Sequence, residues 1–538
     1  MAAQTTPPKP SASEGDTNAS PLRSQWQAEH LDAASRSLLA RDAAAFLHQS
    51  VSTPCLDAVA KAEGIWIEDT AGRRYMDFHG NNVHHVGYAH PHVLAAIKRQ
   101  LDELSFAPRR FASERAVELA EALGARFRAL TGHDAKVLFT TGGTDAVEVA
   151  IKLARAATGR FKTLSFWDAF HGAGFGASSV GGESLFRSGP IGPLLPGSEH
   201  VAPFGCYRCP YGHRVDADNQ PRLDQCQLAC ASMVRYVLER ERDVAAVIAE
   251  PARAVPYLPP PGYWQAVHAT CRAHGTLLIF DEIPTGLGKT GRFFAAEHDG
   301  AAPDIVVLGK ALGGGVLPIA ACIARAELDV AGAYAFGHYT HEKNPVTAAA
   351  ALATLEVIDR EGLVEQAAHV GAHALDRLHD MKRRHRLVGD VRGRGLLLGL
   401  DLVTDRESKS PAADAADRVL YRALSRGLSF MYRLRFRQKL YTYTSCFRVY
   451  RRSEVAHLEL REKGFLGVAE MLVQLDREGK VIVEQPAVLE VRLLGQSKMK
   501  LMRTIRGHLR LLARMTMDGR KPTATPAIIE PAEEPRSR

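Results

Sequence analysis

No apolar run in the chain approaches the roughly 20 residues that a membrane span requires, so no transmembrane helix is expected. The first twenty residues, MAAQTTPPKPSASEGDTNAS, lack a basic start and an apolar stretch, which argues against a secretory signal. They also lack the arginines of a transit peptide. A cytoplasmic location is the expectation. An excess of basic charge is missing from most of the chain. The net charge is +8, yet residues 431–538 hold 22 Lys and Arg against 12 Asp and Glu, leaving 46 basic and 48 acidic residues in the first 430. A nucleic-acid footprint is absent there, so neither nucleic acid nor membrane is expected as a partner. Internal repeats are not evident. Cysteine is scarce, with eight in 538 residues, but four are grouped as Cys206-Tyr-Arg-Cys209 and Cys226-Gln-Leu-Ala-Cys230. That spacing, with His213 nearby, is within reach of a zinc site. The other reading is a set of free or buried thiols, and no metal is counted among the expected site residues.

What remains is ordinary globular sequence, 46% hydrophobic and 24% charged, long enough for two or three domains. Residues 1–24 read as a disordered tail. Residues 25–105 begin with a helical pattern over 25–48. Paired strands follow around the Asp69–Gly72 turn, then a helix from Pro91 to Leu104. From residue 106 helices and apolar strands alternate: helix 113–130, strand 136–140, helix 144–157, strand 162–166, helix 227–241, strand 244–249, helix 262–274, and strands 276–281 and 304–308. A helix-rich stretch occupies 345–380. Strands such as Val244-Ala-Ala-Val-Ile-Ala are apolar on both faces, which predicts a mostly parallel sheet covered by helices. The α/β core is expected over 106–345, with further segments at 346–430 and 431–538.

Two segments carry chemistry. Residues 276–283, TLLIFDEI, read as a buried strand ending in Asp281. Residues 304–315, DIVVLGKALGGG, read as a second buried strand ending in Lys310 and glycines. An aspartate and a lysine at two strand ends are what pyridoxal 5'-phosphate (PLP) needs. The lysine can form a Schiff base, and the aspartate can keep the pyridine nitrogen protonated so that the ring acts as an electron sink. A phosphate needs backbone N–H groups at a helix start, and Thr140-Thr141-Gly142-Gly143-Thr144 supplies a strand end, two glycines and a hydroxyl.

The stretch from Asp281-Glu282 through Thr285-Gly286-Leu287-Gly288-Lys289-Thr290-Gly291 to Gly309-Lys310-Ala311-Leu312-Gly313-Gly314-Gly315 resembles the class III (omega) aminotransferase family. The likeness covers about residues 50–430. It implies PLP fold-type I, with a large α/β domain and a small α+β domain built from both chain ends. It implies catalytic Lys310 and Asp281, and cofactor contacts from Gly143, Thr144, Phe170, His171, Glu250 and Ile283. Phe170-His171-Gly172 stands for the family's Tyr-His-Gly, and Pro284 replaces its usual glutamine. In His338-Tyr339-Thr340-His341-Glu342-Lys343-Asn344-Pro345, Thr340 takes the place of a threonine that reaches the neighbouring subunit's cofactor phosphate. A homodimer with shared active sites is therefore implied.

On the substrate side, His79-Gly80-Asn81-Asn82-Val83-His84-His85 is more polar than the family's apolar stretch, and Arg109 and Arg110 lie where the family places pocket residues. Asn82, His84, His85, Arg109 and Arg110 suit a dianionic head group such as a phosphonate. Two reactions stay open. One is transfer of an amino group from an amine or amino acid to a 2-oxo acid. The other is a lyase, resembling the branch that eliminates ammonia from hydroxy-aminoethylphosphonates. After about Phe430 the likeness stops in a basic, aromatic stretch, read as a frameshift or a replacement domain. That break leaves a third reading, a PLP-fold protein impaired by its altered C-terminus.

Overall fold

The computed structural model describes residues 21–47, 57–411 except Ser188, and then 452–458, 460, 465–480 and 482. The expected tail lies outside the described residues as far as residue 20, and a helix starts at Pro21. Most of the basic segment 431–538 also lies outside them. The chain divides into two compact units, Met1–Ser410 and Pro411–Arg538. In the second, the helix Phe465–Arg477 buries Ala469, Leu472, Val473 and Leu475 together with Glu470 and Asp476.

The described residues of the first unit form three sheets. Strands β1 (Val59–Glu63), β2 (Trp66–Asp69) and β3 (Arg74–Met76) form an antiparallel meander. The central sheet comprises β4 (Ala135–Thr140), β5 (Lys162–Phe166), β6 (Ser198–Val201), β7 (Val244–Ala249), β8 (Leu277–Asp281), β9 (Ile305–Leu308) and β10 (Ala320–Arg325). Their order is β4-β10-β9-β8-β7-β5-β6, with only β10 antiparallel to its neighbours. Strands β11 (Val388–Arg394) and β12 (Leu397–Leu402) form a separate hairpin.

Side chains along the central strands alternate between two buried clusters. Leu278 and Phe280 of β8 face one with Val306 and Leu308 of β9, while Leu277 and Ile279 face the other with Ile305 and Val307. The first layer rests on the helices Glu114–Thr131, Ala229–Arg240, Tyr263–His274 and Pro345–Arg360; the second rests on the helix Gly143–Thr158. Burial on both faces is why these strands read as continuous apolar runs. The arrangement also fixes where chemistry can sit. In such a sheet every parallel strand delivers its carboxyl end to one edge, and ligands bind outside that edge.

Candidate active site

Five strand ends meet at the carboxyl edge. Asp281 closes β8 and is 2% exposed. Its Oδ2 lies 2.8 Å from Nδ1 of the equally buried His171, which follows β5, and its Oδ1 accepts the backbone N–H of Ile283 at 3.0 Å. A carboxylate only accepts, so Nδ1 carries the hydrogen. Nε2 of His171 is buried without a protein partner among the described residues.

Ile283 joins two other parts of the edge. A Cβ on Gly143 would come within 2.7 Å of Ile283 Cδ1, and one on Gly309 would meet its Cγ2 at 3.4 Å. Ile283 therefore sits against the start of the helix Gly143–Thr158 and against the residue preceding Lys310. Lys310 follows β9 and opens a 3-10 turn, Lys310–Gly313, with a left-handed φ of 44°. A non-glycine residue there costs roughly 1–3 kcal/mol, strain of the kind that gathers at functional sites.

The helix Gly143–Thr158 has Gly142 as its N-cap and no side-chain cap, so its first N–H groups are left for a ligand. Thr144 Oγ1 accepts the N–H of Ala173 at 3.4 Å, and a Cβ on Gly172 would fall 2.5 Å from that oxygen. The turn carrying Phe170 and His171 is thus pressed against the helix start. Phe170 is half-buried, its ring 4.5 Å from that of Phe186. Glu250 follows β7, is buried, accepts the N–H of Ala254 at 3.2 Å and lies 3.9 Å from Nε of Arg253.

The residues present fit PLP. A buried carboxylate with an orienting imidazole suits a protonated ring nitrogen, an uncapped helix start suits a phosphate, and a lysine stands at the neighbouring strand end. At Gly143 a Cβ would collide with Ile283.

The expected substrate residues divide. Asn82, left-handed at φ 61°, accepts a hydrogen bond from Nζ of Lys289. His84 stacks on Tyr88 and its Nε2 lies 3.0 Å from the Asp77 carbonyl; its ring occupies the space a Cβ on Gly80 would need. His85 Nδ1 lies 3.4 Å from the Leu287 carbonyl, and its Nε2 is buried and unpartnered among the described residues. Burial, then the charges of Lys289 and, more weakly, Lys310, push the His85 imidazole down to about 3. His85 is therefore a neutral group under the charges of the two lysines. Arg109 and Arg110 stand exposed on a turn closed by the Phe111 N–H and the Pro108 carbonyl. Thr340 is exposed, next to a half-buried Tyr339 that packs on the same layer as Ile283. The fold thus gathers Asp281, His171, Ile283, Gly143, Thr144 and Lys310, and it brings Asn82 and His85 to the lysines. It leaves Thr340, Arg109 and Arg110 facing outward.

Three participants were not singled out from sequence. Lys289 holds Asn82, Phe186 meets Phe170, and Glu148 accepts the N–H of Ala177 at 2.9 Å. A lone lysine inside a Gly/Thr stretch was a usable signal for the first. The others had none.

Comparison with known proteins defines the class. The family described as Aminotransferase class-III matches residues 48–441, and the chain belongs to that family. Its members depend on PLP, and the fold is PLP fold-type I. A (R)-1-hydroxy-2-aminoethylphosphonate ammonia-lyase of Vibrio splendidus is 44% identical over 426 residues, spanning 78% of this chain and 88% of that protein. The 5-aminovalerate aminotransferase DavT of Pseudomonas aeruginosa is 35% identical, spanning 68% of this chain and 84% of its own. Among solved structures, the taurine:2-oxoglutarate aminotransferase of Bifidobacterium kashiwanohense, in complex with PLP and glutamate, matches with a TM-score of 0.65 at 26% identity, over 70% of this chain and 84% of that one. The chain is an enzyme of the transaminase and PLP-lyase kind. Among its described residues no helix is long and apolar enough to cross a membrane.

Proposed function

We propose that this enzyme is an ammonia-lyase acting on a hydroxy-aminoethylphosphonate or a similar anionic amine. The observation that carries the reading is the 44% identity to the Vibrio lyase over 78% of the chain, against 35% to the aminovalerate aminotransferase. The polar stretch around Asn82, His84 and His85 supports it, because it offers hydrogen-bonding groups, with Asn82 bonded to Lys289 and His85 under the charges of Lys289 and Lys310, where the aminotransferase pattern is apolar.

Bound PLP supplies an electron sink for the carbon that bears the amine. Lys310 Nζ is the base that takes a proton from that carbon, and it returns one to the neighbouring carbon once the hydroxyl has left. Asp281 holds a proton at the ring nitrogen, and His171 keeps the carboxylate in place. The first N–H groups of the helix Gly143–Thr158 and the Thr144 hydroxyl hold the phosphate. Phe170 and Ile283 would supply apolar contacts to the ring, and Glu250 a carboxylate at the same sheet edge. We assign residues 106–345 to the cofactor-binding domain, and 25–105 with 346–430 to the small domain. The exposure of Thr340, Arg109 and Arg110 fits a homodimer in which each subunit completes the other's site: Thr340 at the phosphate, the arginines at the substrate anion. Loss of the substrate hydroxyl as water, followed by hydrolysis, balances as an aldehyde plus ammonia. No 2-oxo acid is consumed.

Transfer to a 2-oxo acid is the second reading, favoured by the aminovalerate aminotransferase among the relatives. Ammonia release from 1-hydroxy-2-aminoethylphosphonate, measured with no 2-oxo acid present, separates the two. Sustained release is expected. Strict dependence on pyruvate or 2-oxoglutarate would make the enzyme a transaminase, and no turnover either way would make it an impaired protein.

A further inference from the structure

Between β6 and the helix Ala229–Arg240 the chain makes a detour through residues 202–228. The detour opens with a 3-10 turn at Cys206–Arg208, folds back at the bridge between Val215 and Pro221, and returns through the one-turn helix Leu223–Cys226. Cys206 and Cys209 stand on the outgoing limb, Cys226 on the returning one, and Cys230 in the first turn of the helix Ala229–Arg240. All four are half-buried free thiols, and together with His213 they line one cavity of about 30 Å³. A space of that order admits a single water-sized guest. The backbone between Cys226 and Cys230 is strained. Gln227 and Leu228 are consecutive non-glycine residues with left-handed φ of 44° and 53°, a conformation that persists only where its surroundings impose it.

We propose that Cys206, Cys209, Cys226 and Cys230 bind one zinc ion, as a structural site separate from the PLP site. The two pairs, C-x2-C and C-x3-C, have the spacings of structural zinc knuckles. Four thiolates are soft ligands that select zinc over hard cations such as magnesium or calcium. Binding ionises four S–H groups, forms four Zn–S bonds and releases the protons to solvent; no electrons are exchanged. Arg214 and Arg222 line the same cavity, and their positive charges oppose the double negative charge of a tetrathiolate centre. Among the described residues no three thiol, imidazole or carboxylate groups already stand at the separations of a finished metal cage. Zinc would assemble the site as it binds, as expected of a thiolate site whose formation is coupled to metal binding.

Such a staple has a mechanical consequence. Arg208 grips Asp401 of β12, with Nη2 2.7 Å from Oδ1. Asn219 Nδ2 donates to Asp390 Oδ1 at 2.8 Å and to the Gly389 carbonyl at 2.9 Å, both in β11. Lys409 Nζ donates to the Tyr207 carbonyl at 2.6 Å. Zinc would fix the detour and, through it, the β11–β12 hairpin.

The test is the zinc content of the full-length, PLP-loaded protein after desalting with a chelator, read by inductively coupled plasma mass spectrometry. About one zinc per chain is expected. Cys206→Ser and Cys226→Ser should each retain at least about tenfold less, the loss that even an outer-shell change costs. Cys271→Ala, outside the cluster, should retain it. Cobalt substitution of the unaltered chain gives a readout independent of variant folding, with a thiolate-to-cobalt charge-transfer band expected. The proposal is overturned if protein from zinc-supplemented culture carries no metal and all eight cysteines titrate as thiols. It is equally overturned if any two of the four are joined as a disulfide.

Discussion

His171 Nδ1 donates a hydrogen bond to Asp281 Oδ2 across 2.8 Å, with both side chains shut away from solvent. The pair joins the ends of β5 and β8, two strands that β7 separates. A buried carboxylate is held most firmly where each oxygen has a donor, and Asp281 has the imidazole on one and the Ile283 N–H on the other. The carboxylate's orientation is therefore set by its protein partners, and on the proposed function His171 acts as a positioning residue.

Asp281→Asn should keep PLP bound yet lower kcat by about ten- to a hundredfold, the equivalent of the roughly 1.5–3 kcal/mol that a charged hydrogen bond contributes. His171→Phe keeps the bulk and loses the hydrogen bond, so a smaller fall of about tenfold is expected, together with a shifted cofactor absorption band. Steady-state kinetics and a visible spectrum on both variants check this. Near-normal turnover in Asp281→Asn would remove the carboxylate from the chemistry.

Contact between Gly143 and Ile283 makes a second prediction. Gly143→Ala places a Cβ 2.7 Å from Ile283 Cδ1, an overpacking that costs roughly 1–3 kcal/mol. PLP affinity should weaken by about tenfold. Ile283→Val lacks that Cδ1, so the double variant Gly143→Ala with Ile283→Val should recover most of the loss. A PLP titration of all three variants measures the coupling. Simple additivity would mean that the two residues do not meet in the loaded enzyme.

Much of the fold was legible in the sequence. Strands β5 and β7 stand at the residues the apolar pattern marked, and the helix Gly143–Thr158 extends the expected one by a residue at each end. Strands β1, β6 and β10 were missed. Val59-Ala-Lys-Ala-Glu63 and Ser198-Glu-His-Val201 are too polar to show a buried run, and each lies at a sheet edge with one partner. Ala320-Ala-Cys-Ile-Ala-Arg325 is built from small residues that serve a helix as readily as a strand. In the site, Asp281 and Lys310 were readable because each ends an apolar strand. The His171–Asp281 bond spans 110 residues and joins strands that sheet order, not chain order, brings near, and the Lys289–Asn82 bond spans 207 between two segments outside the strands.

Glu282 supplies a pH prediction. Its carboxylate is buried, and burial pushes its pKa up to about 7, against hydrogen bonds from the N–H groups of Ala296 and Ala295 and the Thr285 hydroxyl. The folded state then binds the proton more tightly than the unfolded one. The stability this adds is fully present below pH 4.5 and is lost as pH rises through 7. Glu282→Gln does not titrate, so the advantage of the unaltered protein over this variant should shrink across that window. Thermal melts of both proteins at several pH values read it, and a gap that widens with pH would reverse the sign.

The claim on which the account turns is that Lys310 carries the cofactor opposite Asp281. Borohydride reduction of the PLP-loaded protein, followed by digestion and mass mapping, locates the phosphopyridoxyl group directly. The account predicts that group on Lys310, and its loss in Lys310→Ala. A label on Lys289 or another lysine, or one that persists in Lys310→Ala, would contradict it.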